Sequence, residues 1–429
     1  MLNTSIAIVL AAVAPLLQQD DPSTRPARQI PTEVRDRIER GTASEETLDP
    51  RIDASKITEL DVPAVPETVL LPAPPVHRIA TDRGQTRLDD ASWNTATEST
   101  RRGLAWLARN QSRNGGWMEG EVVVPTDQPP REAAAAVAVT GLGLKAFAQA
   151  PELTEGPGPR EQAFRFVRRA LESHGFDGLA AAGLGNYVAS SIAMGLAANG
   201  STTDPGDAGT LGDAVLFLQN NQWDETEGVS ARQDWFGGAG YGNRGRPDLS
   251  NTQMMLDALY DAGVSPDEPV VQKALVFLSR TQNLKATNPA AWAQAGSDDG
   301  GFVYTPANNG ESFGSAAAGE GRYGETMPAG VARSLRSYGS MTYAGFKSLL
   351  FAGLGPEDPR VAAALGWIRD HWTLAENPGV GQQGVFYYLH AMARALRASG
   401  LDEIVDADGT KHDWRKEMIA ELARRQRPD

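Results

Sequence analysis

The chain has 429 residues, and its 54 acidic against 40 basic side chains give a formal net charge of −14, which argues against a nucleic-acid partner because a polyanion is repelled on average. It contains no cysteine, so disulfides, thiolate zinc ligands, a cysteine nucleophile and an internal thioester are all excluded. A hydrophobic content of 41% suits a globular protein with a sizeable core, in one large domain or two smaller ones.

The N-terminus reads MLNTSIAIVLAAVAPLLQQDD. Its apolar run from Ile6 to Leu17 is short for a membrane span and of the right length for an export signal, so residues 1–20 are expected to be a signal peptide and the chain to be periplasmic or extracellular. No Lys or Arg precedes the run, and Pro15 interrupts the cleavage point after Ala14, so a plain N-terminal segment stays open as the alternative. Residues 21–91, with DVPAVPETVLLPAPPVH, are polar and proline-rich and predict a linker with one short helix near PTEVRDRIER.

From residue 92 onward the sequence repeats itself. LAWLARNQ (104–111) aligns with FRFVRRAL (164–171), VLFLQNNQ (215–222), LVFLSRTQ (275–282), LGWIRDHW (365–372) and IAELARRQ (419–426). These end at intervals of 60, 51, 60, 90 and 54 residues, a period that fits a helix pair with its turns and one insertion. The first of them shows an apolar stripe of Leu104, Ala105, Leu107 and Ala108 that leaves Arg101, Arg102 and Arg109 for solvent.

Between them lie helices of a second kind, within 131–150, 186–200, 250–263, 340–353 and 384–400, richer in Ala, Gly and Ser. Small side chains let backbones approach closely, as an inner layer requires, while the charged helices suit the outside. Two concentric rings of helices satisfy both patterns.

The stretch RGLAWLARNQSRNGGW resembles the QW motif of squalene-hopene cyclases, here Gln111, Gly115 and Trp117. DDGGFVY after LVFLSRTQ looks like a degenerate copy. GSMTYAGFKSLLFAGL and ENPGVGQQGVFYYLHAMARAL resemble stretches of bacterial prenyltransferase and squalene-oxidase repeat proteins. The resemblance covers residues 92–429 and implies an all-α fold, the α/α toroid shared by terpene cyclases and protein prenyltransferase β subunits. It also implies that the QW residues are structural: the Gln caps a helix end and stacks on the Trp, tying one outer helix to the next.

In such cyclases an Asp-x-Asp-Asp-Thr motif protonates an alkene. The corresponding place here is RPDLSNTQMMLDAL, which offers Asp248, Ser250, Asn251 and Thr252. Ser250 replaces the proton donor, and an alcohol is far too weak an acid for that step. A capping box from Ser250 to Gln253 explains the same residues as helix initiation. Asp248, Ser250, Asn251 and His390 are the candidate catalytic groups, and Thr252, Tyr343, Tyr387 and Tyr388 the candidate substrate contacts. His390 lies on a polar stripe with Tyr387, Arg394 and Arg397, which is expected to meet a cavity or else solvent. The five histidines show no metal spacing, and neither a metal nor a cofactor is expected.

The glycine-rich insertion around 295–340 reads as a loop over the cavity, with Asp298 and Asp299 as turn residues. FGGAGYGNRG reads as turns. After LARRQRPD no sixth inner helix follows, which predicts a shortened chain or a gap between first and last helices. The expected ligand is an apolar, isoprenoid-like small molecule held among Tyr187, Met194, Met254, Met255, Tyr343, Phe346, Phe386 and Tyr388. The alternative is a non-catalytic scaffold whose aromatics interlock as core. A membrane surface stays open as a partner, and oligomeric state is not specified.

Overall fold

The computed structural model describes residues 83–117, 130–200, 205–241, 246–306 and 335–427. The expected signal peptide, the linker up to residue 82 and the insertion at 307–334 lie outside the described residues. Within them the chain is all-α, apart from a small hairpin of β1 (Ile404–Val405) and β2 (Lys411–His412). The helices are α1 (Asp90–Arg109), α2 (Pro130–Gln149), α3 (Gly158–Ala181), α4 (Gly185–Asn199), α5 (Pro205–Asn220) and α6 (Leu249–Ala262). They continue as α7 (Pro269–Arg280), the short α8 (Ala291–Ala295), α9 (Gly339–Phe351), α10 (Pro359–Asp370), α11 (Val385–Ser399) and α12 (Trp414–Arg425). None is long and apolar enough to cross a membrane.

Local sequence sets the helix ends. Asp89 caps α1 by accepting from Ser92 N at 2.8 Å. Gly200, Gly263 and Gly400 close α4, α6 and α11 in the left-handed region. The folded unit begins somewhat before residue 92, since Arg87 pairs with Asp402 and Asp89 with Lys416.

Five helices form a central row in which α2 packs on α4, α4 on α6, α6 on α9 and α9 on α11. The small residues explain how closely they meet. A Cβ on Gly141 of α2 would run into Ser191 of α4, and one on Gly195 into the Gly141 carbonyl. In α6 and α9 almost every side chain is buried. The charged helices α3, α5, α7 and α10 flank this row, each packing on the central helix that precedes it. The expected gap between first and last helices is not there. α12 packs against α1, Gln426 Nε2 donates to Ser99 O at 2.8 Å and Arg102 Nη2 to Arg427 O at 2.6 Å.

Candidate functional site

The repeated Gln and Gly-Gly residues form one device built three times. Gln111 Nε2 donates to Gly115 O and Pro159 O, both at 2.8 Å. Gln222 does the same to Gly237 O and Val270 O, and Gln282 to Gly300 O and Arg360 O, all at 2.8–2.9 Å. Each carboxamide ties the end of one flanking helix to the first turn of the next, and Gln426 ties α12 to α1 through Ser99. Gly115, Gly237 and Gly300 have φ of 97°, 80° and 78°. A Cβ on any of them would collide with a carbonyl of the next flanking helix, at Gln162, Lys273 or Ala363. Glycine is therefore required twice over, for its φ and for the close approach.

The residue after each Gly-Gly is also placed alike. Trp117 N, Ala239 N and Phe302 N donate to the hydroxyls of Thr140, Thr252 and Thr342 at 3.0–3.1 Å. Each hydroxyl in turn donates to the carbonyl four residues earlier. Trp117 is buried, donates from Nε1 to Leu107 O at 2.9 Å and stacks on Phe147 at 5.7 Å. Two expectations change. Thr252 is a structural bridge rather than a substrate contact, and FGGA is a third copy of the device, not merely a turn. Its Gln lies fifteen residues before Gly237 instead of four, which hid it from a fixed-spacing search. Asp298 and Asp299 brace the copy at Gln282 and Gly300, accepting from Lys285 N at 2.8 Å and from Gly301 N at 2.9 Å.

The acid-motif residues do come together, but as a helix cap. Asp248 is the N-cap of α6, displacing the expected Ser250 cap. Its carboxylate accepts from Ser250 Oγ at 2.8 Å, Asn251 N at 2.9 Å and Asn251 Nδ2 at 2.9 Å. Asn186 Nδ2 holds Asn251 from α4, and Tyr187 OH donates to Ser250 Oγ at 3.3 Å. Burial pushes the Asp248 carboxyl up while the hydrogen bonds from Asn251 and Ser250 oppose it. Both carboxyl oxygens of Asp248 are engaged within the cap, by Ser250 and by the backbone and side chain of Asn251.

Tyr343 and Tyr388, expected to touch substrate, are fully buried and packed edge to face at 5.5 Å, with Tyr388 OH donating to Thr373 O at 2.6 Å. Met194, Met255 and Phe346 are likewise core. Of the expected aromatic wall, Tyr187 and Phe386 keep accessible surface, as does the site residue Tyr387. An aliphatic face not expected from the sequence is also accessible: Ala135, Ala138, Val139 and Leu142 are all half-buried and lie on one face of α2 at i, i+3, i+4 and i+7.

All five central helices contribute to a second cluster, which no motif announced. Lys145 of α2 reaches Asp261 of α6 at 2.6 Å and Met194 Sδ of α4 at 3.4 Å. Lys347 of α9 pairs with Asp257 of α6 at 2.7 Å and also donates to Gln253 Oε1, whose amide donates to Tyr387 OH at 3.0 Å. Arg394 of α11 lies 3.2 Å from Asp261 and 3.4 Å from Asp257, over the ring of Phe351. These five charged side chains are 1–7% exposed. Burial lowers both lysines, Lys347 to about 8, while Asp257 and Asp261 hold Arg394 charged. His390, one turn before Arg394, is half-buried and is held neutral by burial and by the nearby cations.

Among the described residues no group of His, Asp or Glu has the arrangement of a metal site. A shallow hollow of about 220 Å³ lined by Phe147, Pro151, Thr154, Pro157 and Arg160 is outside these clusters. No family model matches the chain, and no curated protein matches it.

Proposed function

We propose that the chain is an α/α toroid of the squalene cyclase and prenyltransferase-repeat kind that binds an isoprenoid-like apolar ligand between α2 and α11, without proton-initiated cyclisation. Three features support the ring: the alternation of flanking and central helices, the staples from one flanking helix to the next, and the meeting of four of the five central helices at Asp257 and Asp261. The observation that carries the ligand is the half-buried aliphatic face of α2 (Ala135, Ala138, Val139, Leu142), together with Phe386, Tyr387 and His390 on α11. The central row packs from α2 round to α11, and these two end helices do not pair as their neighbours do. An aliphatic and aromatic wall with a few polar groups suits a flexible hydrocarbon chain.

Protonation chemistry is absent from this reading because Asp248 is committed as a cap and Ser250 stands at the acid position. A scaffold without a ligand is the second reading, favoured by the interlocked core around Tyr343 and Tyr388. Titration with a fluorescent polyprenyl alcohol separates them. Saturable binding, weakened at least tenfold by Leu142→Trp and unchanged in a folded Tyr388→Phe variant, supports the ligand. Absence of binding leaves the scaffold. Squalene incubated with the protein is expected to yield no hopene-type product, and detection of one would overturn the reading of Asp248.

A further inference from the structure

The ionic cluster is unbalanced. Among the described residues, three cations (Lys145, Lys347 and Arg394) meet two carboxylates (Asp257 and Asp261), which leaves one positive charge in excess inside the protein. A buried unit charge without a counter-ion is costly, and such charges are ordinarily paired and fully hydrogen-bonded.

The geometry is also incomplete. Arg394, 7% exposed, approaches Asp261 only at 3.2 and 3.5 Å, longer than the 2.7–2.9 Å usual for guanidinium and carboxylate. Its Nε, 3.4 Å from Asp257 Oδ2, makes no hydrogen bond. Lys145 has a thioether as the second partner of its ammonium. His390, one turn N-terminal to Arg394 on the same face, makes no hydrogen bond to any described residue. Its surface remains reachable while Arg394 and Lys145 are enclosed. Lys145 follows directly on the apolar face of α2, three residues after Leu142. The aliphatic wall and the surplus cation therefore adjoin.

Building on the proposed apolar-ligand reading, we propose that this cluster receives the carboxylate head group of an amphiphile whose hydrocarbon tail lies along Ala135, Ala138, Val139 and Leu142. One negative charge balances the surplus, and the planar guanidinium of Arg394 presents two N–H groups to a carboxylate. His390 supplies a further N–H donor at the entrance. A diphosphate brings more charge than the cluster can balance, and a neutral alcohol leaves the surplus unanswered.

The full chain is titrated with the fluorescent fatty acid cis-parinaric acid and with its methyl ester, with acetate as a competitor. The acid is expected to bind at least tenfold more tightly than the ester, and acetate to displace it weakly or not at all. Arg394→Met removes one cation and leaves two cations facing two carboxylates, so the fold is retained while the preference for acid over ester falls to near unity. His390→Leu, at a half-buried position, is expected to lower the acid-to-ester ratio severalfold. Equal binding of acid and ester by the unaltered protein overturns the head-group assignment while leaving the apolar site standing. Failure of both to bind overturns the two together. Displacement of the acid by acetate alone at similar concentration shows a small-anion site and overturns the amphiphile. Should Arg394→Met fail to fold, the acid-to-ester ratio of the unaltered protein and of His390→Leu still decides.

Discussion

The Gln and Gly-Gly staples between flanking helices and the ionic cluster at the meeting of the central helices both bury polar groups, with opposite chemistry. The staples use a neutral carboxamide that donates twice to backbone carbonyls, and the same bonds recur at Gln111, Gln222 and Gln282. The cluster uses five full charges, and Lys145, Asp257 and Lys347 each lie five residues after a bridging threonine (Thr140, Thr252, Thr342), so one repeat position carries a cation in two copies and a carboxylate in the third. A neutral amide with both N–H groups placed is satisfied wherever the helix pair recurs. A charge cluster is satisfied only by the particular set of partners in one place. The difference separates contacts made identically in each copy from a cluster in which equivalent positions carry opposite charges and are satisfied only together.

The sharpest way to break the staple side is Gly237→Ala. A methyl group there meets the Lys273 carbonyl and forces an alanine to φ of 80°. We expect a loss of about 3–5 kcal/mol, read as a large drop in the urea midpoint. A loss under about 1 kcal/mol would show that the backbone relaxes and that the close approach is not required.

On the cluster side, Asp261→Ala strands Lys145 and half of Arg394's contacts. It is expected to cost about 3–5 kcal/mol at neutral pH, marginally less than the glycine change because the lysine can lose its proton. Removing two cations as well, in Lys145→Met with Arg394→Met on the Asp261→Ala background, should recover a good part of that loss. If the triple variant is no more stable than Asp261→Ala, uncompensated charge is not the cause.

Gln222→Ala removes two hydrogen bonds to buried carbonyls and is expected to cost about 1–3 kcal/mol. Gln282→Ala should cost nearly the same. Because the two staples share no hydrogen-bonded residue, their losses should add within about 0.5 kcal/mol. Strong non-additivity in chemical denaturation would mean that the two staples act through the helix packing between them.

The smallest effect is on pH dependence. Lys347 is lowered to about 8 in the fold, chiefly by burial, against about 10.4 in an unfolded chain. Between these values the unfolded state binds more protons, so this group makes stability rise with pH from about 8 upward. Lys347→Met should flatten that rise, and an unchanged profile would place the titration elsewhere.

Much of the scaffold was legible in the sequence because it depends on local pattern. The apolar stripe of α1, the Ala- and Gly-rich central helices and the turn glycines follow from helix periodicity and from backbone freedom at Gly. The four Gln positions 111, 222, 282 and 426 could be aligned by eye. The sites fared worse. Thr252, Tyr343 and Tyr388 were expected at substrate, yet a polar or aromatic residue on a buried helix looks the same in sequence whether it faces a ligand or a neighbour. Asp248 could be recognised as part of a motif, but its being spent on a cap depends on Ser250 and Asn251 folding back on it.

The sequence by itself determined the class of fold, the repeat and the absence of cysteine chemistry, since these depend on composition and on contacts a few residues apart. Tertiary structure alone decided that Lys145, Asp257, Asp261, Lys347 and Arg394 meet. They are drawn from four helices spread over some 250 residues. It also decided that α12 returns to α1 and that the face of α2 from Ala135 to Leu142 stays half-buried. Each of these depends on how the helices pack together, which is set by the summed fit of many small residues and leaves no local mark on any one of them.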